Sequence, residues 1–88
     1  MAGDPTLEAI GRVAGFFAHP SVAMLELTGA LKVGDTICIK GHTTDFQQVV
    51  ESMQVDRQPV QEASAGQSVG VQVREKCRKH DAVYRLVG

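Results

Sequence analysis

The sequence predicts an all-β fold, with about six short strands forming a small closed barrel or a sandwich. Apolar and polar residues alternate in several short runs, and turn-forming residues separate these runs at short intervals. No ten-residue window has the apolar spacing of an amphipathic helix. With 88 residues the chain can build only one core. We therefore expect a loose tail over residues 1–6 and a single domain over residues 7–88.

The amino-terminal half supplies the first three expected strands. They cover residues 10–17, 22–27 and 36–40. A turn at Gly34 and Asp35 precedes the third of these strands, because glycine accepts positive φ and aspartate bonds its own backbone.

The carboxy-terminal half begins with a long extended run over residues 46–55, which Pro59 ends. Its apolar residues change phase near residues 51–52, which predicts a β-bulge there. Residues 62–66 predict a short helical turn closed by its final glycine. The last two strands are expected around the alternating valines Val69, Val71 and Val73, and over residues 82–87.

Composition excludes several classes of protein. Nine Lys and Arg face ten Asp and Glu, so the net charge is −1, whereas a general polyanion binder would be strongly basic. The chain has no apolar run long enough to span a membrane, and its first residues lack the basic region of a signal peptide. Two cysteines are too few for a disulfide scaffold. We therefore expect a cytoplasmic monomer without membrane contact.

Two glycine motifs suggest catalysis or nucleotide binding, but their context argues against both. Residues 66–70 match G-x-S-x-G, which needs a strand-to-helix turn, yet here the motif leads into a strand. His80 is the one candidate base for Ser68. Residues 29–36 have the glycine spacing of a P-loop, but Asp35 stands where the phosphate-binding lysine belongs. We expect no enzyme activity, no bound nucleotide and no cofactor.

A metal site is also not expected. Cys38, His42, Cys77 and His80 form a nominal Cys2His2 set, and zinc would need all four side chains to converge. However, Cys38 lies within a predicted strand rather than on a zinc knuckle, and free cysteine commonly behaves as a small apolar residue.

The only concentration of charge is the segment 74–80, which is net +3 with neutral His. One interpretation is a solvated loop. The other is a patch that contacts RNA phosphates. The candidate RNA-binding residues are Arg74, Lys76, Arg78, Lys79 and His80.

A protein partner is the second possibility, because the chain is nearly neutral and lacks aromatic residues near the basic segment. Phe16, Phe17 and His19 are the candidate partner-binding residues, since aromatic anchors often dominate interfaces. The alternative is that one phenylalanine faces the core and the other lies on the rim.

Four stretches of sequence, taken in order, resemble a known family. They are residues 10–13, 31–41, 50–54 and 62–73. Together they resemble domain two of translational GTPases of the elongation factor Tu type, over most of residues 7–87. The chain is also similar to stand-alone translation elongation factor-like proteins and to the carboxy-terminal module of some collagenase-like peptidases.

The resemblance implies a closed six-stranded Greek-key β-barrel of the translation-protein type. It further implies a non-catalytic binding module that contacts RNA or the ribosome. The alternative is a protein–protein adaptor that acts beside a separate enzyme such as a collagenase-like peptidase. The nucleotide-binding domain of the GTPases is absent from the sequence, so GTPase activity is not expected.

Overall fold

A computed structural model describes residues 6–18 and 21–87 of the chain. These residues form ten β-strands and no helix, which confirms the all-β prediction. The strands are β1 (Thr6–Ala18), β2 (Ser21–Leu27), β3 (Leu31–Lys32), β4 (Thr36–Lys40), β5 (Asp45–Val49), β6 (Met53–Val55), β7 (Gln58–Val60), β8 (Glu62–Ala63), β9 (Ser68–Gln72) and β10 (Ala82–Val87).

Eight of the strands form one antiparallel sheet in the order β5-β4-β10-β1-β2-β9-β6-β7, and β3 pairs with β8 in a second small sheet. The edge strands β5 and β7 do not pair with each other. The prediction of a closed six-stranded Greek-key barrel is therefore wrong in strand number and in closure.

Strand β1 joins the two halves of the large sheet. Its first part pairs with β10 and its second part with β2. The register shifts once between Ala9 and Gly11 and again between Val13 and Gly15. Such bulges bend a strand, so β1 turns the sheet around a single core.

The core is built mainly from aliphatic side chains, because the sequence has few aromatic residues. Alternation places Val69 and Val71 of β9 inside, as it does Ile37 and Ile39 of β4. The other fully buried large aliphatic residues are Ile10, Val13, Leu25, Leu31, Val50, Met53 and Val83.

The extended run over residues 46–55 is interrupted rather than bulged. The Val50 N–H donates to the Asp35 carbonyl at 2.8 Å, and the Val50 carbonyl accepts from the Gly34 N–H at 2.9 Å. These bonds turn the chain away from β4, so β5 pairs with β4 whereas β6 pairs with β9. The predicted bulge at residues 51–52 is therefore wrong.

The region after β6 also differs from the prediction. Pro59 does not end the extended structure but lies within the edge strand β7, where a missing N–H is tolerated. Residues 62–66 contain strand β8 and a turn instead of a helical turn. The predicted positive φ of Gly66 is present at 91°.

The predicted tail over residues 1–6 lies outside the described residues except for Thr6, which begins β1. Within residues 6–18 and 21–87, there is no helix long and apolar enough to cross a membrane.

Candidate functional site

An open groove of about 570 Å³ lies on the outer face of the large sheet, where β2, β9 and the hairpin of β6 and β7 lie side by side. Its lining is mainly apolar at the floor and charged at one rim. We call it the apolar groove, and its lining residues are Phe17, Val22, Met24, Gln54, Asp56, Arg57 and Gly70.

The strand alternation explains why apolar side chains line this face. In β2, Ala23 and Leu25 are fully buried in the core, so Val22 and Met24 point to the opposite face. Both outward residues remain partly exposed. Polar side chains would be usual on a solvated sheet face, so this pair marks β2 as unusual.

Gly70 forms the floor of the groove. It lies opposite Met24 of β2 and opposite Gln54 of β6, in the middle of three paired strands. A Cβ atom at Gly70 would lie 3.4 Å from Met24 Sδ and 3.5 Å from Val22 Cγ1, which is ordinary contact distance. The missing side chain therefore creates the depression, and a larger residue would fill it.

The two phenylalanines of β1 have different environments. Phe16 is partly buried and packs against the core, whereas the Phe17 side chain is 60% exposed beside the groove. The structure therefore agrees with the interpretation that one ring faces the core and the other lies on the rim. His19, the third candidate partner-binding residue, lies outside the described residues.

The turn between β6 and β7 forms the charged rim of the groove. Asp56 and Arg57 have φ of 52° and 65°, as in a two-residue type I′ turn, which normally contains Asn-Gly. An arginine in this region of φ is uncommon and costs backbone energy. Among the ion pairs of residues 6–18 and 21–87, neither side chain takes part.

The segment 74–80, which we call the basic loop, lies between β9 and β10. The structure places its five candidate binding residues on the surface, namely Arg74, Lys76, Arg78, Lys79 and His80. The loop is anchored at both ends: the Arg74 N–H donates to Gln48 Oε1 at 2.8 Å, and the His80 N–H donates to the Val13 carbonyl at 2.8 Å. The buried Cys77 side chain holds its middle.

The candidate metal ligands do not form a site in the part of the chain that the structure describes. Cys38 and Cys77 are free and buried, and no three His, Cys, Asp or Glu side chains converge within residues 6–18 and 21–87. Burial and the nearby Asp81 carboxylate raise the pKa of the Cys77 thiol to about 11, which makes it a poor ligand and nucleophile.

The two glycine motifs have structural roles. Ser68 begins β9 and pairs with Glu26 of β2, so it does not sit on a strand-to-helix elbow. In the P-loop-like segment, Asp35 Oδ2 accepts a hydrogen bond from the Lys32 N–H at 3.0 Å and closes the turn.

Most of the groove was not predicted from the sequence. The outward phase of Val22 and Met24 in an alternating strand was a usable signal, as was Gly70 between two valines. Asp56 and Arg57 gave no signal, because Asp-Arg is not a typical type I′ sequence.

The chain is similar in sequence to proteins that are named as a protease or a collagenase. The chain is 46% identical over 78 residues to an uncharacterised protease of Methanocaldococcus jannaschii and 37% identical over 79 residues to a collagenase of Porphyromonas gingivalis. Each match covers 88% of this chain. The chain spans only about a fifth of these relatives, 19% and 22% of their length. No protein-family profile matches the chain.

Two solved structures have the same fold. Both are of the C-terminal domain of a U32 peptidase from Geobacillus thermoleovorans, with TM-scores of 0.82 and 0.83 at 20% identity. The first match covers 86% of this chain and 96% of that domain, and the second covers 89% and 91%.

These findings overturn the resemblance to elongation factor Tu domain two. The similar sequences are named as a protease and a collagenase, and the similar structures are peptidase C-terminal domains rather than translation factors. The interpretation as a translation elongation factor-like, RNA- or ribosome-binding module is therefore wrong. The basic loop remains an exposed charged segment without that assignment.

Proposed function

We propose that this chain is a non-catalytic protein-docking module that acts with a peptidase of the U32, collagenase-like type. The observation that carries this proposal is the apolar groove, where no element of residues 6–18 and 21–87 covers Phe17 and Met24 beside the floor at Gly70. Apolar patches rimmed by charged residues are typical of protein interaction sites.

The comparisons support the choice of partner. In the relatives, a stretch similar to this chain belongs to a much longer protein named as a protease or a collagenase. A module of this kind needs a surface that contacts the remainder of such a protein, and an exposed apolar groove suits that contact.

The absence of enzyme activity is part of the proposal. Ser68 lies at the start of a regular strand, and the Cys77 thiol is buried with a raised pKa. Neither environment activates a nucleophile, because activation requires an adjacent base or a depressed pKa. Peptide hydrolysis is therefore assigned to the partner.

The test measures whether the chain binds such a peptidase as a separate molecule. The Methanocaldococcus relative would be produced without the 78 residues that match this chain, and the chain would be titrated into it by calorimetry. We expect saturable one-to-one binding. Phe17→Ser should weaken it at least tenfold, since exposed aromatic anchors dominate such interfaces.

A matched control separates docking from general loss of apolar surface. Val49 is 44% exposed and lies on β5, away from the groove, so Val49→Ser should leave the affinity unchanged. Absence of binding by the unaltered chain, or equal weakening by both substitutions, would contradict the proposed function.

A further inference from the structure

We propose that the apolar groove binds an extended acidic segment of a protein partner, with one apolar side chain over Gly70 and carboxylates against the basic loop. The inference rests on the proposed function and specifies the chemistry of the partner segment. Three features carry it: the continuity of the groove with the basic loop, the rigid placement of that loop, and the distribution of charge.

The groove continues along β9 toward the basic loop. A second depression of about 200 Å³ shares Val22, Gln54 and Gly70 with the groove and adds Ser52 and Gln72. Burial alternates along this stretch, with Val71 and Val73 buried and Gln72 and Arg74 exposed. Gly70, Gln72 and Arg74 therefore share the outer face, in a line.

Hydrogen bonds fix the backbone of the basic loop at its Arg74 end. The Val73 N–H donates to the Ser21 carbonyl at 2.9 Å, and the Arg74 N–H donates to the buried Gln48 side chain. A cation on a fixed backbone loses less conformational freedom on binding than one on a flexible tail. Arg74 is therefore better prepared to bind a carboxylate than an ordinary surface arginine.

The charges along the line favour an acidic partner. Glu26, the nearest acid on β2, is already paired with Arg12 at 3.0 Å. At the other end of the groove, Asp56 and Arg57 carry opposite charges, so that end favours neither an acidic nor a basic partner. The basic loop is net +3, and its four cations are outside the ion pairs of residues 6–18 and 21–87. The basic loop therefore favours acidic side chains of the partner at the Arg74 end of the line.

Strand geometry sets the spacing of the partner residues. Arg74 lies four positions after Gly70, which is at most about 13 Å at the usual rise of a strand. In an extended ligand whose apolar residue lies over Gly70, the residues that reach Arg74 are about three or four positions along the ligand from that apolar residue. These are the positions expected to be acidic.

The test uses a fluorescein-labelled nine-residue peptide. Its central residue is leucine, one serine and one threonine flank the leucine on each side, and two glutamates form each end. Binding is followed by fluorescence anisotropy at low and high salt. We expect saturable binding that weakens at high salt, and loss of at least tenfold in affinity when the leucine is replaced by serine or the glutamates by glutamine.

Two substitutions in the chain locate the contact. Gly70→Val adds a side chain at the floor of the groove, where its Cβ would make only ordinary contacts, and should weaken the leucine-dependent part of binding. Arg74→Glu should weaken binding about tenfold and reduce its salt dependence. Lys32→Glu is the matched control, because it makes the same change of charge at an exposed cation on β3, and it should have no effect.

The outcomes separate this inference from the proposed function. If the peptidase binds the unaltered chain and the Arg74→Glu chain equally, the acidic segment is overturned while the docking function stands. If the peptidase does not bind at all, the docking function falls, and the peptide titration alone decides the inference. Equal binding of a uridine oligonucleotide, or a stable dimer by light scattering that excludes the peptide, would also overturn it.

Discussion

The side chain of Gln48 is bonded at both ends to the backbone around Arg74. Gln48 Oε1 accepts from the Arg74 N–H at 2.8 Å, and Gln48 Nε2 donates to the Gln72 carbonyl at 2.9 Å. Gln48 belongs to the edge strand β5, whereas Gln72 ends β9. A single buried amide thus links two parts of the sheet that no strand pairing joins, and it positions the basic loop.

Replacing Gln48 should destabilise the fold and release the basic loop. Gln48→Ala removes both hydrogen bonds and leaves the Arg74 N–H and the Gln72 carbonyl without these partners. We expect a loss of about 2–3 kcal/mol in the free energy of unfolding, measured in urea. Gln47→Ala is the control on the exposed side of the same strand: it removes only a weak contact, the Cys38 thiol donating to Gln47 Oε1 at 3.4 Å, and should cost less than about 0.5 kcal/mol. Equal losses for the two variants would contradict this role of Gln48.

The turn at Asp56 and Arg57 should gain stability when its strain is removed. Arg57→Gly places the residue that accepts positive φ most easily at the second position of the turn. We expect the free energy of unfolding to rise by about 0.5–1 kcal/mol, after allowing for the greater freedom of glycine in the unfolded chain.

The opposite substitution provides the control for this turn. Gly66 also has positive φ, at 91°, and a Cβ there would meet open space, so Gly66→Ala tests backbone conformation alone. It should destabilise by about 1 kcal/mol. Thermal unfolding of both variants checks the pair, and a destabilised Arg57→Gly chain would show that the arginine side chain stabilises the turn.

Gly41 is required by the buried carboxylate of Asp81. A Cβ at Gly41 would overlap the Asp81 carboxyl group, whose Oδ2 accepts from the Arg78 N–H at 2.9 Å. Gly41→Ala must displace that carboxylate and should cost about 1–3 kcal/mol. Gly15→Ala is the control, since a Cβ there meets nothing within 4 Å, and it should be neutral or slightly stabilising. A neutral Gly41→Ala, by urea unfolding, would contradict the close packing.

Local periodicity predicted the strands that alternate cleanly, because burial of one face fixes the pattern. Strands β4 and β10 agree with the prediction at both ends, and β2 and β9 differ by a residue or so. The two- and three-residue strands β3, β7 and β8 are too short to show a period, so they were missed.

Non-local contacts set the limits of the prediction. Alternation does not identify the neighbouring strand, so residues 46–55 looked continuous although bonds to Gly34 and Asp35 divide them between β4 and β9. Whether the sheet closes into a barrel also depends on which strands are neighbours, and alternation does not show this. The groove could be predicted in part, from Val22 and Met24, but its rim depends on a strained turn with no sequence signal.

The Cys77 thiol should resist modification in the folded chain. It is buried, and burial together with the Asp81 carboxylate raises its pKa from 9.0 to about 11. In a Cys38→Ala background, a thiol reagent at pH 8 should therefore react with Cys77 only as fast as the chain opens, and urea should accelerate labelling strongly. Rapid labelling without urea would contradict the buried position.

The same thiol should make stability depend on alkaline pH. Between about pH 9 and pH 11 the unfolded chain loses the Cys77 proton while the folded chain retains it, so the free energy of unfolding falls as pH rises. Below pH 9 both states hold the proton and Cys77 contributes no slope. Comparing the unaltered chain with Cys77→Ala cancels the other groups that titrate there. We expect the variant to be less stable at pH 8, because it loses buried volume, but to lose less stability on going to pH 11. Parallel pH profiles for the two chains would show that the thiol environment is not coupled to folding.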